Sequence, residues 1–543
     1  MPLTTSLCQT PLVKKTLELL ARSVPPPGNV ELKIQAGIGP EGFRIDDTGI
    51  TGNDERGLLY GVGKHLREPA WRGTSVPDRA LRPMYFATHF HNYYHDAPIA
   101  DVCRYIEELA LWGCNLLMVW FDMHHYTGIN DPAAQAMIQR LRAMLETAES
   151  VGMQSGLAML ANEAYANSPL EQRADFRWRE NGYKSGIGAY GVEICPNKPG
   201  GLELICRYRQ EMLDAFRGLN LGLFSLGAYD QGGCTCQKCK PWGANGYLRT
   251  CEVVAPLVKQ SFPNAKFMLV TWYLDKHIDG EWEGLAKAFA HGAPKYVDCL
   301  LADNAGSFPD YPLKHGVPGG LPVISFPEIS MVNMWPWGAF GANPRLAHWQ
   351  KYWDNLDPRI TAAIPYSEGI YEDLNKILQL QHGWDRRRPL RDIAREYAAA
   401  EFSPAVADEV VEAVFALEGA MNDGVNHLSL EKPGIAEALR TGFADPLPRI
   451  YTVPANPCAG ATVARLQRVD AQLPAEKRVA WRWRVLFLRA LLDDELQRSD
   501  SRPTAKSDEY FEELTRIYHA GNAELAVTPM SRRALNRFRR LFS

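Results

Sequence analysis

Residues 221–242 read LGLFSLGAYDQGGCTCQKCKPW, and this stretch decides the fold class predicted for the chain. The apolar run Leu223–Leu226 is short, is bounded by glycine and leads directly to Asp230, which favours a buried strand over a helix. A carboxylate at the carboxyl end of a buried parallel strand is the position at which α/β barrels carry their chemistry. The stretch therefore predicts that Asp230 is a catalytic acid at the end of a barrel strand.

Outward from this stretch, the chain alternates strand-like apolar runs with helical segments. The eight runs are MYFATHF (84–90), NLLMVWFDM (115–123), SGLAMLANEAY (155–165), LGLFSLGAYD (221–230), KFMLVTWYLD (266–275), YVDCLLADNAG (296–306), PVISFPEISM (322–331) and TAAIPYSEGI (361–370). Eight strands separated by helices predict an α/β protein with a (β/α)8 TIM barrel.

The flanking segments predict two further domains. Residues 1–80 contain alternating strand patterns followed by a helix with Asn53 or Asp54 as its cap, which indicates a small α/β domain. The barrel is predicted to span residues 81–375. Residues 376–543 show only helical periodicity, so we expect an all-helical domain that serves packing or homodimerisation.

Composition excludes several classes of function. The 543 residues carry a formal net charge of -4 without a dense basic run, which argues against nucleic-acid binding. No run reaches the eighteen or more apolar residues of a membrane span. The first residues lack a continuous apolar segment, and the eleven scattered cysteines do not suggest a disulfide framework. These features predict a cytoplasmic protein with reduced cysteines.

Carboxylates follow several of the predicted strands. We predict Asp230 as the acid, Glu328 as the base and Asp303 as the helper of that base. Glu368 competes with Glu328 for the second role, because it ends the eighth strand beside Gly369. Two carboxyl groups at neighbouring strand ends can divide general acid and general base roles between them.

The remaining polar and aromatic residues at the strand ends are predicted to bind substrate. They are His89, His91, Asn92, Asp122, His124, His125, Glu163, Tyr165, Trp272, Trp335, Trp337 and Tyr371. The four histidines of this set, His89, His91, His124 and His125, are also candidate ligands for a divalent metal, because neutral imidazole is a common ligand. Hydrogen bonding to sugar hydroxyls is the preferred interpretation.

Cys234, Cys236 and Cys239 follow Asp230 in C-x-C-x-x-C spacing, close enough together to bind one ion. A structural zinc site normally has four ligands, and Cys195 or Cys251 could supply the fourth. The expectation is a structural zinc that stiffens the loop, with no cofactor required for catalysis.

The phrases GFRIDDTGITGNDERGLLYGVGKHL (42–66) and RYIEELALWGCNLLMVWFDM (104–123) resemble barrel-type glycoside hydrolases. The order of small α/β domain, barrel and helical tail is similar to that of xylan α-glucuronidases and, more distantly, of β-N-acetylhexosaminidases. The α-glucuronidase resemblance implies an acid after the fourth strand and an Asp and a Glu after the sixth and seventh. Asp230, Asp303 and Glu328 occupy these strand ends.

The resemblance implies an exo-acting glycoside hydrolase that releases a terminal sugar, with a uronic acid as one candidate, from oligosaccharides. A substrate-assisted N-acetylhexosaminidase is an alternative, although Tyr229-Asp230-Gln231 lacks the paired Asp-Glu of those enzymes. A metal-dependent barrel hydrolase or isomerase using the four histidines is another, and a non-catalytic sugar-binding barrel is a third.

Overall fold

A computed structural model gives the architecture of the chain. It describes residues 10–22, 30–88, 92–187, 192–229, 232–304, 308–330, 344–367, 369–371, 373–419, 456–500, 502, 504–518 and 520. Within these ranges the chain forms two sheets and a series of helices.

The first sheet has four strands in the order β1-β3-β2-β4. Its strands are β1 (Glu31–Ile34), β2 (Phe43–Ile45), β3 (Gly49–Gly52) and β4 (Gly73–Ser75), and its neighbours are the helices α1 (Pro11–Ala21) and α2 (Glu55–Arg67). Of the two predicted caps, Asp54 is the one that caps α2, by accepting a hydrogen bond from the backbone N–H of Gly57 at 2.8 Å. The polar cap satisfies one of the unpaired donors of the first turn of this helix.

The second sheet is parallel throughout and contains ten strand segments. They are β5 (Pro83–Phe86), β6 (Leu116–Trp120), β7 (Gln154–Leu160), β8 (Leu221–Gly227), β9 (Lys266–Val270), β10 (Cys299–Asn304), β11 (Val323–Phe326), β12 (Glu328–Ser330), β13 (Ile360–Ala363) and β14 (Tyr366–Ser367). The segments pair in chain order from β5 to β11, β11 pairs with β13, and β12 and β5 both pair with β14. The sheet is therefore curled as in a barrel-type α/β fold.

Two prolines explain why eight predicted strands become ten segments. Pro327 separates β11 from β12, and Pro365 lies between β13 and β14. Proline has no backbone N–H to donate to a neighbouring strand, so regular pairing stops at each of them. Pairing continues past the two prolines with a shift of register between Glu328 and Ser330, and the N–H of Tyr366 donates to the carbonyl of Pro327 at 2.9 Å.

Helices connect the strands of the barrel. They are α3 (Tyr93–Asp96), α4 (Ile99–Leu111), α5 (Pro132–Ser150), α6 (Gly201–Ala215), α7 (Gly246–Ser261), α8 (Glu281–Ala288), α9 (Asp310–His315) and α10 (Leu346–Asp354). The predicted amphipathic helix over residues 99–112 matches α4, which buries Val102, Ile106 and Leu109.

Apolar side chains that alternate along the strands fill the inside of the barrel. Among them are Leu116 and Met118 of β6, Met268 of β9 and Ile324 of β11, all buried. Because successive side chains of a strand point to opposite faces, the remaining strand residues pack outward against the helices. This layer of buried apolar side chains lies beneath the carboxyl ends of the strands.

The chain after the barrel is helical where it is described. Its helices are α11 (Asp373–Trp384), α12 (Leu390–Glu401), α13 (Ala407–Glu418), α14 (Ala459–Gln472), α15 (Ala475–Val479), α16 (Trp481–Arg498) and α17 (Ala505–Tyr518). Glu396 of α12 connects this part to α2, since its carboxylate accepts a hydrogen bond from Arg67 at 2.9 Å. Among the helices of the described ranges, none combines the length and apolar character needed to cross a membrane.

Candidate active site

A cavity opens at the carboxyl end of the barrel, and all eight predicted strands contribute to it. It is lined by Tyr85, Met118, Trp120, Ala158, Met159, Leu160, Ser225, Gly227, Tyr229, Val270, Trp272, Leu301, Phe326, Glu328 and Tyr366. Aromatic rings form much of this wall, and Glu328 is the one carboxylate among these lining residues. A concave site with aromatic walls and few polar groups is the usual form of a small-molecule site.

Glu328 begins β12 directly after Pro327, and its side chain is partly buried in the cavity wall. Its backbone lies opposite Tyr366 of β14, so the interrupted seventh and eighth strands present both residues to the same cavity. The backbone of Asp303 lies in β10 opposite Ser325 of β11. Two of the predicted catalytic positions therefore belong to neighbouring strands of the barrel.

Trp272 follows β9 and lines the cavity. Its ring stacks on Tyr273 with the ring centroids 4.3 Å apart and lies 5.8 Å from the ring of Phe326. Its indole N–H is buried and has no hydrogen-bond partner among the described residues. A flat ring with an available donor suits a sugar, which offers a C–H face and hydroxyl acceptors.

Asp122, His124 and Glu163 form a buried hydrogen-bonded group behind the cavity wall. Asp122 contacts Nδ1 of His124 through one oxygen and lies 3.1 Å from Nε2 of His125 through the other. Glu163 lies 3.3 Å from the same Nδ1 of His124 and accepts the indole N–H of Trp120 at 3.1 Å. Because Trp120 also lines the cavity, this group fixes part of the wall.

Burial and the charges within this group strongly shift the pKa values of its members. Burial would lower the pKa of His124, but its hydrogen bonds to Asp122 and Glu163 outweigh burial and raise that pKa to about 10. Burial would raise the pKa of Asp122, yet the two imidazoles hold it well below its usual range. Burial, together with the charge of Asp122, raises the pKa of Glu163. At neutral pH the group therefore contains an imidazolium between carboxyl groups.

Glu193 adds a further buried carboxyl group beside Glu163. The two residues pair across a short antiparallel bridge between the segments that follow β7. Burial, and next the charge of Glu163, raise the pKa of Glu193 well above its usual range, which favours a neutral carboxylic acid. Its Oε2 atom is buried without a hydrogen-bond partner in the described part of the chain. The arrangement makes Glu193 a potential proton donor close to the Asp122 group.

Tyr229 lies in the segment after β8, directly before Asp230 in the sequence, and lines the cavity. Its hydroxyl donates to Glu281 of α8, whose carboxylate also accepts the backbone N–H groups of Gly243 at 2.6 Å and Asp275 at 2.9 Å. Burial raises the pKa of Glu281 to about 7 despite these donors. A single buried side chain thus positions the segments that follow β8 and β9.

Three of the predicted substrate-binding residues have other contacts. Asn92 is buried, donates to the carbonyl of Ala87 and caps α3 by accepting the N–H of Tyr94 at 3.0 Å. Tyr165 is buried against Tyr208, with its hydroxyl unpaired among the described residues. Tyr371 packs on Tyr518 of α17, with ring centroids 5.2 Å apart, and does not belong to the cavity lining given above.

Several predicted site residues lie outside the described residues. They are Asp230, Glu368, His89, His91, Trp335 and Trp337. Of the predicted histidines, His124 and His125 are described, and these two come together with Asp122 in a group whose possible ligand atoms lie within 4.8 Å of one another.

The cysteines predicted as metal ligands do come together. Cys234, Cys236 and Cys239 meet Cys195, whereas Cys251 is buried elsewhere, on α7. Of the two residues considered for the fourth position, the geometry brings Cys195 to the group.

The sequence pattern did not single out three groups of this site. Glu281 and Glu193 resemble ordinary polar residues of a helix start and a loop, and only long-range folding brings them beside Tyr229 and Glu163. The rings of Tyr85, Trp120 and Phe326 belong to predicted strands, and strand alternation was the signal that could have assigned them to the cavity.

Comparison with solved structures shows that the fold resembles barrels found in several glycoside hydrolases. A family GH115 4-O-methyl-α-glucuronidase, BtGH115A, with specificity for decorated arabinogalactans, superposes with a TM-score of 0.59 at 12% identity, covering 98% of this chain and 77% of that one. CpGH89 from Clostridium perfringens, described in complex with its substrate GlcNAc-α-1,4-galactose, gives 0.59 at 13% identity, covering 93% and 64%.

A third solved structure extends the same relationship. A GH138 enzyme targeting pectin rhamnogalacturonan II gives a TM-score of 0.54 at 11% identity, covering 94% of this chain and 70% of that one. No protein-family profile and no curated protein sequence matches the chain. The predicted resemblance to glycoside hydrolases is therefore confirmed as a distant one, at the level of the fold.

Proposed function

We propose that the chain is a glycoside hydrolase whose reaction takes place in the barrel cavity. The observation that carries the proposal is the position of Glu328, a carboxylate in an aromatic-walled cavity at the carboxyl end of the barrel. Its fold neighbours, which include enzymes described as acting on α-glucuronides and on GlcNAc-α-1,4-galactose, support this class of reaction. Aromatic walls favour a carbohydrate over a strongly charged ligand.

In this proposal two carboxyl groups divide the chemistry. Asp230 is the acid that protonates the leaving oxygen, since it directly follows Tyr229 of the cavity wall. Glu328 is the second carboxylate, with Asp303 of the neighbouring strand as its helper. Glu368 follows β14 and is the competing partner. The second carboxylate either activates water or attacks the anomeric carbon, according to its separation from the acid.

The floor of the cavity supports attack on a chain end. Met118 and Leu301 of the barrel strands line it from below, and the apolar interior of the barrel continues beneath them. A chain end, unlike the middle of a chain, can project one sugar ring into a cavity toward such a floor. An exo-acting enzyme that releases one terminal sugar is accordingly the form of the proposal.

A uronic acid as that sugar needs a cation in the cavity. Several cations of the long segment after β7 have other partners: Arg173 donates to the carbonyl of Ser168, Arg177 pairs with Asp175, and Lys184 pairs with Asp279. Arg179 of the same segment packs over the ring of Trp178, so the choice between a neutral sugar and a uronic acid falls to the substrate screen.

A screen of aryl glycosides tests the proposal. The purified chain is incubated with α- and β-linked aryl glycosides, including glucuronides and N-acetylhexosaminides, and NMR identifies the first anomer released. We expect turnover of at least one of them, with loss of turnover in Asp230→Asn. Binding of sugars without turnover of any substrate would instead indicate a sugar-binding barrel.

A metal-dependent hydrolase or isomerase is the second candidate, favoured by the proximity of Asp122, His124 and His125. Treatment with EDTA followed by addition of divalent metals separates the two. The two-carboxylate mechanism predicts activity that survives chelation while circular dichroism shows an intact fold. Activity that is lost with EDTA and restored by a divalent metal, with the fold intact throughout, would favour the metal-dependent reaction.

A further inference from the structure

Four cysteine side chains from two separate loops meet at the carboxyl end of the barrel. Cys195 lies between β7 and α6, whereas Cys234, Cys236 and Cys239 lie between β8 and α7. All four sulfur atoms lie within 4.8 Å of one another. Three of these cysteines are buried and Cys236 is partly exposed.

The spacing of the sulfur atoms fits a tetrahedral metal site. Sγ of Cys195 lies 3.8 Å from Sγ of Cys236 and 3.7 Å from Sγ of Cys239. Zinc binds thiolate sulfur at about 2.3 Å, and the edge of a tetrahedron with that radius is about 3.8 Å. The two sulfurs of a disulfide are about 2.05 Å apart. These sulfurs are therefore spaced as ligands of one metal ion and do not form a disulfide.

The surroundings of the cluster supply donors to the sulfur atoms. The backbone N–H of Asp175 donates to Sγ of Cys234 at 3.4 Å, and Nδ2 of Asn197 donates to Sγ of Cys239 at 3.1 Å. Arg249 fixes the orientation of Asn197 by donating to its side-chain oxygen at 2.8 Å. Hydrogen bonds of this kind stabilise thiolates that coordinate a metal and hold the ligands in place.

From this geometry we infer that Cys195, Cys234, Cys236 and Cys239 bind one zinc ion in a structural site. Four sulfur ligands in a tetrahedron favour zinc or iron among the common metals, and a full set of four protein ligands leaves no position for a substrate. The ion therefore takes no part in the reaction in the cavity, and its binding does not depend on the proposed glycoside hydrolase activity.

The position of the site indicates what the ion does. It joins the segment after β7 to the segment after β8, which contains Tyr229 of the cavity wall. Asn162 makes a second tie between the same segments, since it donates to the carbonyl of Gly233 at 2.7 Å and accepts the N–H of Gly233 at 3.0 Å. Zinc therefore acts as a cross-link that holds two loops of the barrel rim together.

Metal analysis of the purified chain tests the inference. After dialysis against metal-free buffer, elemental mass spectrometry should find one zinc per chain. Replacement by Co²⁺ should give the intense thiolate-to-cobalt absorption and the visible bands of a tetrahedral site with four sulfurs. Loss of all metal on dialysis, stoichiometric iron in place of zinc, or disulfides among these cysteines by mass spectrometry would each overturn it.

Two variants locate the site without reference to activity. Cys195→Ser removes one ligand and should weaken zinc retention against a chelator by about tenfold or more. Cys458→Ser is the matched control, because Cys458 is exposed and distant in sequence from the cluster. Equal zinc retention in both variants would overturn the assignment of Cys195. If Cys195→Ser does not fold, the Co²⁺ spectrum of the unmodified chain decides the number of sulfur ligands.

Discussion

The hydroxyl of Tyr229 donates a hydrogen bond to the buried carboxylate of Glu281, and this contact joins the end of the fourth barrel strand to α8. The same carboxylate accepts the backbone N–H groups of Gly243 and Asp275. The segments that follow β8 and β9 therefore share one acceptor at the rim of the barrel. Since Asp230 follows Tyr229 directly, this contact bears on the position of the predicted acid.

Removal of the Tyr229 hydroxyl tests that role. Tyr229→Phe leaves Glu281 with two backbone donors and should lower the free energy of unfolding by about 1–3 kcal/mol. It should also lower kcat on the substrate found in the screen, because the segment leading to Asp230 loses an anchor. Urea denaturation and steady-state kinetics measure the two effects. Tyr311→Phe is the control. In the described part of the chain Tyr311 makes ring contacts with Trp282 and His315, so this variant should change neither the free energy of unfolding nor kcat.

The raised pKa of Glu281 predicts a dependence of stability on pH. Burial raises that pKa to about 7, so the folded chain keeps a proton that the unfolded chain releases near its ordinary value of 4.5. This contribution to stability is complete below pH 4.5 and is lost as the pH rises through 7, by on the order of 2 kcal/mol.

Glu281→Gln does not titrate, so the difference in unfolding free energy between the natural chain and this variant should shrink from pH 5 to pH 7. Urea denaturation at several pH values measures the difference. A difference that stays constant over this range would contradict the raised pKa.

His124 predicts the corresponding effect at alkaline pH. Burial lowers the pKa of His124, but hydrogen bonds to Asp122 and Glu163 raise it overall from 6.5 to about 10. The stability that results is complete below pH 6.5 and is lost as the pH rises through 10. His124→Gln should therefore cost more at pH 6 than at pH 9.5, by on the order of 2 kcal/mol.

The neighbouring histidine provides the control for this measurement. The side chain of His125 is 52% exposed and contacts the other oxygen of Asp122. His125→Gln should lower the free energy of unfolding far less than His124→Gln at pH 6, because exposed ion pairs contribute little. A cost of His124→Gln that is the same at pH 6 and pH 9.5 would contradict the raised pKa of His124.

The barrel could be predicted from the sequence because its strands are short apolar runs with clear boundaries. The fourth run, for example, corresponds to β8, which covers Leu221–Gly227. The breaks at Pro327 and Pro365 were not predicted, although proline gives the physical reason for both. A helix cap at Asn53 or Asp54 was predicted because capping depends on local sequence, and the structure identifies Asp54 as the cap.

The site was only partly predictable, because its groups meet through folding and not through spacing. The sequence suggested Glu163 and Trp272 from their places at strand ends, but it gave no reason to connect Glu281 with Tyr229. Likewise, spacing grouped three cysteines and left Cys195 and Cys251 as alternatives for the fourth. Only the approach of the two rim loops distinguishes them.

Trp272 is predicted to contribute to substrate binding. Its ring lines the cavity and its indole N–H has no partner among the described residues, so Trp272→Phe removes a donor while keeping an aromatic face. We expect KM to rise several-fold, about the effect of one hydrogen bond, with the free energy of unfolding little changed. Trp71→Phe, in the region of the first sheet, should leave KM unchanged. An unaltered KM in Trp272→Phe would remove this residue from the binding site.

The roles of the carboxyl groups can be separated by the leaving group of the substrate. A proton donor matters less when the leaving group is a good one, such as dinitrophenolate, because little protonation of the departing oxygen is needed. If Asp230 is the acid, Asp230→Asn should lose about 10²–10⁴-fold in kcat on a poor leaving group and far less on a good one.

If Glu328 is the second carboxylate, Glu328→Gln should lose activity on substrates with good and poor leaving groups alike, since attack on the anomeric carbon depends on it in both cases. The loss should again be about 10²–10⁴-fold in kcat, with intact circular dichroism. Glu368→Gln is the matched comparison, because Glu368 is the competing residue at the next strand end. If Glu368→Gln loses activity on both kinds of substrate while Glu328→Gln stays fully active, the second carboxylate is Glu368 and not Glu328.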